Sequence, residues 1–344
     1  MQVGYEDGGT VYPVKNVTVI IEDGTTNNFA CRNQSDEDNY GLRVYSDNLV
    51  FKGESEGTGK LNYSSSNATN HNSYGIACTG SITFEGASVT VDAGAAAVSD
   101  DTGQTDVLCS ALYAGGDVNF NGGTVELNSG KKNNSSYKDY GVYAPNGSVT
   151  IQQSDANIAT NVTTLVYKAA AKSGVDPNKI YNAGIYSKGF NGYAGTLNIR
   201  CNGANYGASA GIYSVGEVNL GHQVTDDTTE GANITLTSGA CSDGLSSALW
   251  AVDADINFVA GYLSCKSGSC VYNTASVDQG PVVLCLNSGQ INLIENDFNL
   301  TNYGYEQAAD GYDGIMPSNA RRAVEFELKQ GLILLDGVAN TGTN

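Results

Sequence analysis

The sequence predicts an all-β chain, a right-handed parallel β-helix built as a three-sided solenoid with coils of about 34 residues. Three observations predict it. A small–aliphatic–aromatic unit recurs along the chain at near-constant spacing, two further alternating triplets follow it in most recurrences, and Gly or Asn stands at the corners between them. One domain, 1–344, is expected: regular coils over about 41–300, an irregular capping excursion over 302–320, and terminal strands over 321–337.

The first strand of each coil begins at Gly41, Gly75, Ala111, Gly141, Gly184, Gly211 and Ala248, spaced 34, 36, 30, 43, 27 and 37 residues apart. An aliphatic residue follows in each, namely Leu42, Ile76, Leu112, Val142, Ile185, Ile212 and Leu249. Five coils then place an aromatic ring: Tyr113, Tyr143, Tyr186, Tyr213 and Trp250. Strand alternation turns the aliphatic inward and the ring outward, so the five rings form one ladder at roughly 5 Å spacing.

The second strand reads aliphatic–polar–large apolar, as in Ile82-Thr83-Phe84, Val118-Asn119-Phe120, Val149-Thr150-Ile151, Val218-Asn219-Leu220 and Ile256-Asn257-Phe258. Leu197-Asn198-Ile199 reads as the same strand after an insertion. The third strand appears as Val89-Thr90-Val91, Val125-Glu126-Leu127, Ile234-Thr235-Leu236 and Leu263-Ser264-Cys265. One coil cannot bury three apolar faces alone, whereas stacked coils bury all three. Glu85-Gly86, Asn121-Gly122-Gly123 and Asn146-Gly147 mark corners, where positive φ favours glycine. The first strands lie near Val17–Ile20 and the last at Ala323–Phe326 and Ile333–Leu335; only residues 163–172 look helical. The insertions gather ahead of the first strand, along one edge, where a repeat protein usually builds its binding face.

Composition narrows function. The chain has 17 Lys+Arg against 36 Asp+Glu and a formal charge of −19, which repels phosphate backbones and anionic membranes. Nucleic acid is thus an unexpected partner, and no apolar run is long enough to insert into a membrane. The start, Met1-Gln2-Val3-Gly4, has no signal-peptide pattern, while the Asn-, Thr- and Tyr-rich composition reads as extracellular, so the chain is expected to derive from a longer precursor. The eight cysteines show no Cys-x-x-Cys spacing, and several stand where other coils carry Val or Ala, which reads as small buried apolar groups. Cys265 and Cys270, flanking a four-residue loop, are the expected disulfide.

The Gly-Ile-Tyr…Gly-x-Val-x-Phe-x-Gly-Gly-x-Val-x-Leu pattern, clearest over Ala111–Leu127, resembles the glycine-rich β-helix repeats of bacterial surface proteins. It is similar to the carbohydrate-binding domain-containing β-helices and more distantly to the pectate-lyase-like superfamily. The resemblance covers about residues 41–265 and implies a cell-surface, polysaccharide-facing role, often with bound calcium. It does not carry over catalytic residues. No basic residue recurs beside acids on the regular strands, and Gly221-His222-Gln223 breaks the Gly-His-Gly motif of the related hydrolases. Asp100-Asp101 and Asp226-Asp227 fall in variable loops.

Asp36-Glu37-Asp38, Asp253 with Asp255, and Asp310 with Asp313 could supply oxygen ligands to calcium, but an acidic surface is the plainer account, and no cofactor is assigned. The expected function is non-catalytic binding of a polysaccharide or host glycan, or adhesion, with Tyr113, Tyr143, Tyr186, Tyr213 and Trp250 as the site. A passive stalk or spacer is the second expectation, and a polysaccharide lyase or glycoside hydrolase the third.

Overall fold

The computed structural model describes residues 1–31, 37–97, 107–131, 138–162, 179–203, 207–225, 228–272, 275–277, 280, 283–286, 291–302 and 315–317. The expected helix over 163–172, the acid pairs at 100–101, 226–227 and 310/313, most of the 302–320 excursion and the terminal strands lie outside those residues.

Every recurrence pairs in parallel with the next. Leu42, Ile76, Leu112, Val142, Ile185, Ile212 and Leu249 stand in one register file, and all seven are buried. A second file carries Phe51, Phe84 and Phe120, whose rings stack at 5.2 Å between successive centroids. Burying each such side chain contributes about 1.5–3 kcal/mol. A third file runs through Val91, Leu127, Thr160, Ile199, Leu236 and Cys265.

The expected three-sided solenoid is corrected by the pairing itself. Its strands were to end at each corner, giving a separate sheet on every side. Instead, Ser81–Gly94, Val118–Lys131 and Ile256–Lys266 run unbroken through one corner, and Lys138–Ile151 and Ile180–Gly192 through another. Each of these strands therefore pairs on two sides of the wall. The pairings close a circuit of eight strands, from Val118–Lys131 through Lys138–Ile151, Ile180–Gly192, Val218–Leu220, Ile256–Lys266, Asn233–Ser238, Thr196–Cys201 and Asn157–Val162 back to the start. The wall is a closed parallel β-barrel within one 22-stranded sheet, all-β and without helix among the described residues. Left-handed glycines bend the strands without breaking them. Gly123, at φ 87°, lets the corner turn, and a Cβ there would strike the backbone of Ala87 in the neighbouring strand.

A second correction concerns Leu197-Asn198-Ile199. It pairs with Ile158-Ala159-Thr160 and Ile234-Thr235-Leu236, which places it on the third side. The second-side segment of that turn is Phe190-Asn191-Gly192. Its pattern is inverted: Phe190 takes the place of Val149, and Gly192 that of Ile151. A Cβ on Gly192 would come within 3.2 Å of the Phe190 ring and 2.8 Å of Ile234, so the large and small residues have exchanged places with the volume conserved.

Candidate functional site

The sequence places a ring two residues after each small residue, and the structure brings those rings together. Tyr113, Tyr143, Tyr186, Tyr213 and Trp250 share one register file. Successive ring centroids lie 5.9, 5.1, 5.0 and 5.4 Å apart. The four tyrosines are half-buried against the outside of the core.

Trp250 differs from its expected exposure. It is 1% exposed, packed edge-to-face on Tyr213, and its indole N–H has no hydrogen-bond acceptor among the described residues. The open part of the ladder therefore ends at Tyr213.

The small residue two positions ahead of each ring packs inward. It faces the core, as does the aliphatic residue after it. A Cβ on Gly141 would strike the Thr160 methyl, one on Gly184 the Ile199 side chain, and one on Gly75 that of Val91. Glycine here makes room for the third-side file, so two consecutive residues turn inward and the strand bends.

The bend sets a second row of rings beside the first, largely covered: Tyr74 and Tyr140 are buried and Tyr40 half-buried. Tyr40, Tyr74 and Tyr140, each directly before the small residue, occupy one file with Ser110 between the last two. Tyr140 stacks on Tyr143 at 4.9 Å and meets Tyr186 edge-on at 5.5 Å; Tyr74 meets Tyr113 edge-on at 5.4 Å. The sequence carried this signal in the recurring Tyr-Gly dipeptides at 40–41, 74–75 and 140–141, which the outward-ring rule passed over. The same file as the rings begins with Gln2, then Arg43 and Ala77. The Arg43 guanidinium lies 4.7 Å from the Tyr40 ring and 4.6 Å from the Tyr45 ring, and pairs with Glu6 at 3.3 Å.

Burial raises several of these phenols above their ordinary range. Tyr213 is pushed up to about 12 by burial first, then by Tyr186 and Asp253. Burial raises Tyr186, Tyr74 and Tyr140 as well. A neutral phenol keeps both its donor and its acceptor for a ligand hydroxyl.

No protein-family model, curated protein or solved structure matches this chain.

The expected disulfide is not formed. Cys265 faces the core opposite Leu236, while Cys270 opens the separate antiparallel hairpin Cys270–Tyr272 with Ala275–Val277; both are free thiols. Cys265 completes a core file beside Leu236, while Cys270 is held by a different pair of strands, opposite Val277. Cys78 sits in register with Val44 and Ala114, and Cys201 with Val162 and Ser238, as small buried side chains.

Among the described residues no three His, Cys, Asp or Glu side chains gather to hold a metal. Asp38 is already occupied: it accepts from the Asn72 backbone N–H at 2.8 Å, the Asn72 amide at 3.1 Å and the Tyr40 hydroxyl at 3.1 Å.

Proposed function

We propose that this protein is a non-catalytic binding module, displayed outside the cell, whose tyrosine face takes a polysaccharide or host glycan. What supports the reading is the half-open run Tyr113–Tyr143–Tyr186–Tyr213, four rings in register on a rigid parallel wall. Sugar rings offer C–H faces that pack on aromatic planes, and neutral phenols at regular spacing can exchange hydrogen bonds with hydroxyl groups along an extended chain.

The test is a glycan array, with and without calcium, read for the native chain and for Tyr186→Ala with Tyr213→Ala. The double variant is expected to lose polysaccharide binding while its far-ultraviolet circular dichroism stays that of the native chain. Binding that survives the substitution on every glycan recognised would dispose of this face as the site.

A second reading, a passive structural spacer, is favoured by a specific observation: the rings pack on one another and Trp250 is fully covered. Under it no glycan binds, and the double variant loses stability instead.

A further inference from the structure

The rings of the first side make one unbroken chain of contacts. From Tyr40 it runs to Tyr74 at 5.2 Å between centroids, to Tyr113 at 5.4 Å and to Tyr143 at 5.9 Å. It continues to Tyr186 at 5.1 Å, Tyr213 at 5.0 Å and Trp250 at 5.4 Å. Tyr140 lies beside it, touching both Tyr143 and Tyr186. The strands of Leu42 and Leu249 are the ends of a file of seven, so the rings cross roughly 29 Å of wall at about 4.8 Å per strand.

Every member of this chain is an oxidisable ring. Packing alone does not call for that, because Phe51, Phe84 and Phe120 stack at 5.2 Å in the core without a polar atom. Tyr74 and Tyr140 are buried like core residues, and Trp250 is covered with its indole N–H lacking an acceptor among the described residues. A phenyl ring in its place would spare the desolvation of that donor. What Tyr and Trp offer and Phe does not is a ring that readily gives up one electron. Electron tunnelling decays exponentially with separation, so rings in contact pass an electron far faster than rings set apart.

The two ends differ in what they do with a proton. An oxidised indole at Trp250 keeps its N–H proton for want of an acceptor, stays a cation radical and draws an electron from Tyr213. At the other end the Tyr40 hydroxyl donates to Asp38 Oδ2 at 3.1 Å, and His71 Nδ1 lies 4.0 Å from Asp38 Oδ1. The Arg43 guanidinium, 4.7 Å from the centre of the Tyr40 ring, opposes a second positive charge there. Tyr40 therefore gives up its electron together with its phenolic proton.

We propose that the ladder from Trp250 to Tyr40 conducts oxidising equivalents along the wall, with Tyr40 as the terminal electron donor and Asp38 as its proton acceptor. The oxidant is an outer-sphere one-electron acceptor that meets the molecule at the Tyr213–Trp250 end. One electron passes from Tyr40 through the rings to that acceptor, and one proton passes from the Tyr40 hydroxyl to the Asp38 carboxylate. A neutral tyrosyl radical remains at Tyr40.

The test fixes a ruthenium polypyridyl photo-oxidant to the full chain through Val215→Cys, an exposed position two residues after Tyr213, with Cys31→Ser removing the half-buried thiol beside Asn39. A flash in the presence of an electron quencher oxidises the complex, and electron paramagnetic resonance reads the radical. A tyrosyl signal is expected that Tyr40→Phe removes. Tyr113→Phe keeps the ring and the circular dichroism signal but removes the phenol that joins Tyr74 to Tyr143, and should abolish the Tyr40 radical. Asp38→Asn should abolish it as well, because the amide cannot take the proton. A signal that Tyr40→Phe leaves unchanged overturns the proposal, and so does a Tyr40 radical that survives Tyr113→Phe. A Tyr40 radical formed at the native yield in Asp38→Asn overturns Asp38 as the proton acceptor.

Discussion

At the scale of single residues, burial of polar groups dominates. Each turn of the chain places one polar side chain inside, at the corner where the third strand ends and the first begins: Asn39, Ser73, Cys109, Asp139, Asn182, Ser209 and Ser246 in one file. All of them but Asp139 donate to carbonyls at that corner. Asn39 donates to Asn67 O at 3.0 Å, Ser73 to Ser66 O at 2.9 Å, Asn182 to Asn202 O at 2.7 Å and Ser246 to Gly239 O at 2.8 Å. The tyrosines show the converse case, hydroxyls shielded on a half-covered face. Their ionisation favours the unfolded chain: with a folded value near 12 for Tyr213 and Tyr63 against an ordinary 10.0, the stabilisation is complete below pH 10 and is lost as pH rises through about 12. Alkaline titration should therefore show tyrosinate absorbance from these rings appearing together with loss of the circular dichroism signal. Ionisation of all 21 tyrosines near pH 10 with the fold intact would contradict the packing described.

At the scale of the strand, side-chain ladders reinforce the backbone ladders. On the outer face of the second side, Asn257 donates to Asn219 at 2.8 Å, Asn219 to Asn191 at 3.0 Å, and Asn191 to the Thr150 hydroxyl at 3.1 Å. Each amide gives to one neighbour and accepts from the other, so the chain of bonds has a direction along the wall. Asn219→Ala breaks two of them and is expected to cost about 1–2 kcal/mol. Urea unfolding should then show a lower midpoint with an unchanged slope. An unaltered midpoint would mean that water replaces the amide without loss. The corner between Asp23 and Glu54–Thr58 works similarly: Asp23 accepts from the Glu56 N–H at 2.8 Å and the Thr58 N–H at 3.1 Å, and these bonds hold its carboxyl below the usual range.

At the scale of the whole molecule, the core is a set of files running the length of the wall, and its cysteines report on it. Cys109, Cys201 and Cys265 are at most 1% exposed, and burial raises all three thiols. They are expected to resist a thiol reagent in the native chain and to react after unfolding without reductant. Recovery of a Cys265–Cys270 disulfide from unreduced material would show the end of the wall to be arranged differently. Fast native labelling at Cys109, mid-way along the wall, would show that it opens locally far from its ends.

Period-two alternation and a spacing near 34 residues were enough to determine that the chain is all-β, that its strands are parallel, and that Leu42 through Leu249 and Tyr113 through Trp250 form two separate files. Those properties depend on which side of a strand a residue occupies, and alternation encodes that locally. Four features depended on contacts between distant segments. Whether the strands stop at the corners rests on the ladder resuming at Ala87 and Gly123 directly after the left-handed Gly86 and Gly122, which closes the wall into a barrel. The assignment of Phe190-Asn191-Gly192 rests on neighbours 28 and 41 residues away accepting an inverted pattern. The inward turn of Gly141 rests on Thr160 filling the space in front of it. The burial of Trp250 accompanies the pairing of its strand with Val283–Leu286, more than thirty residues further on. Alternation specifies a face, but only the assembled wall decides how much of that face remains open to a ligand.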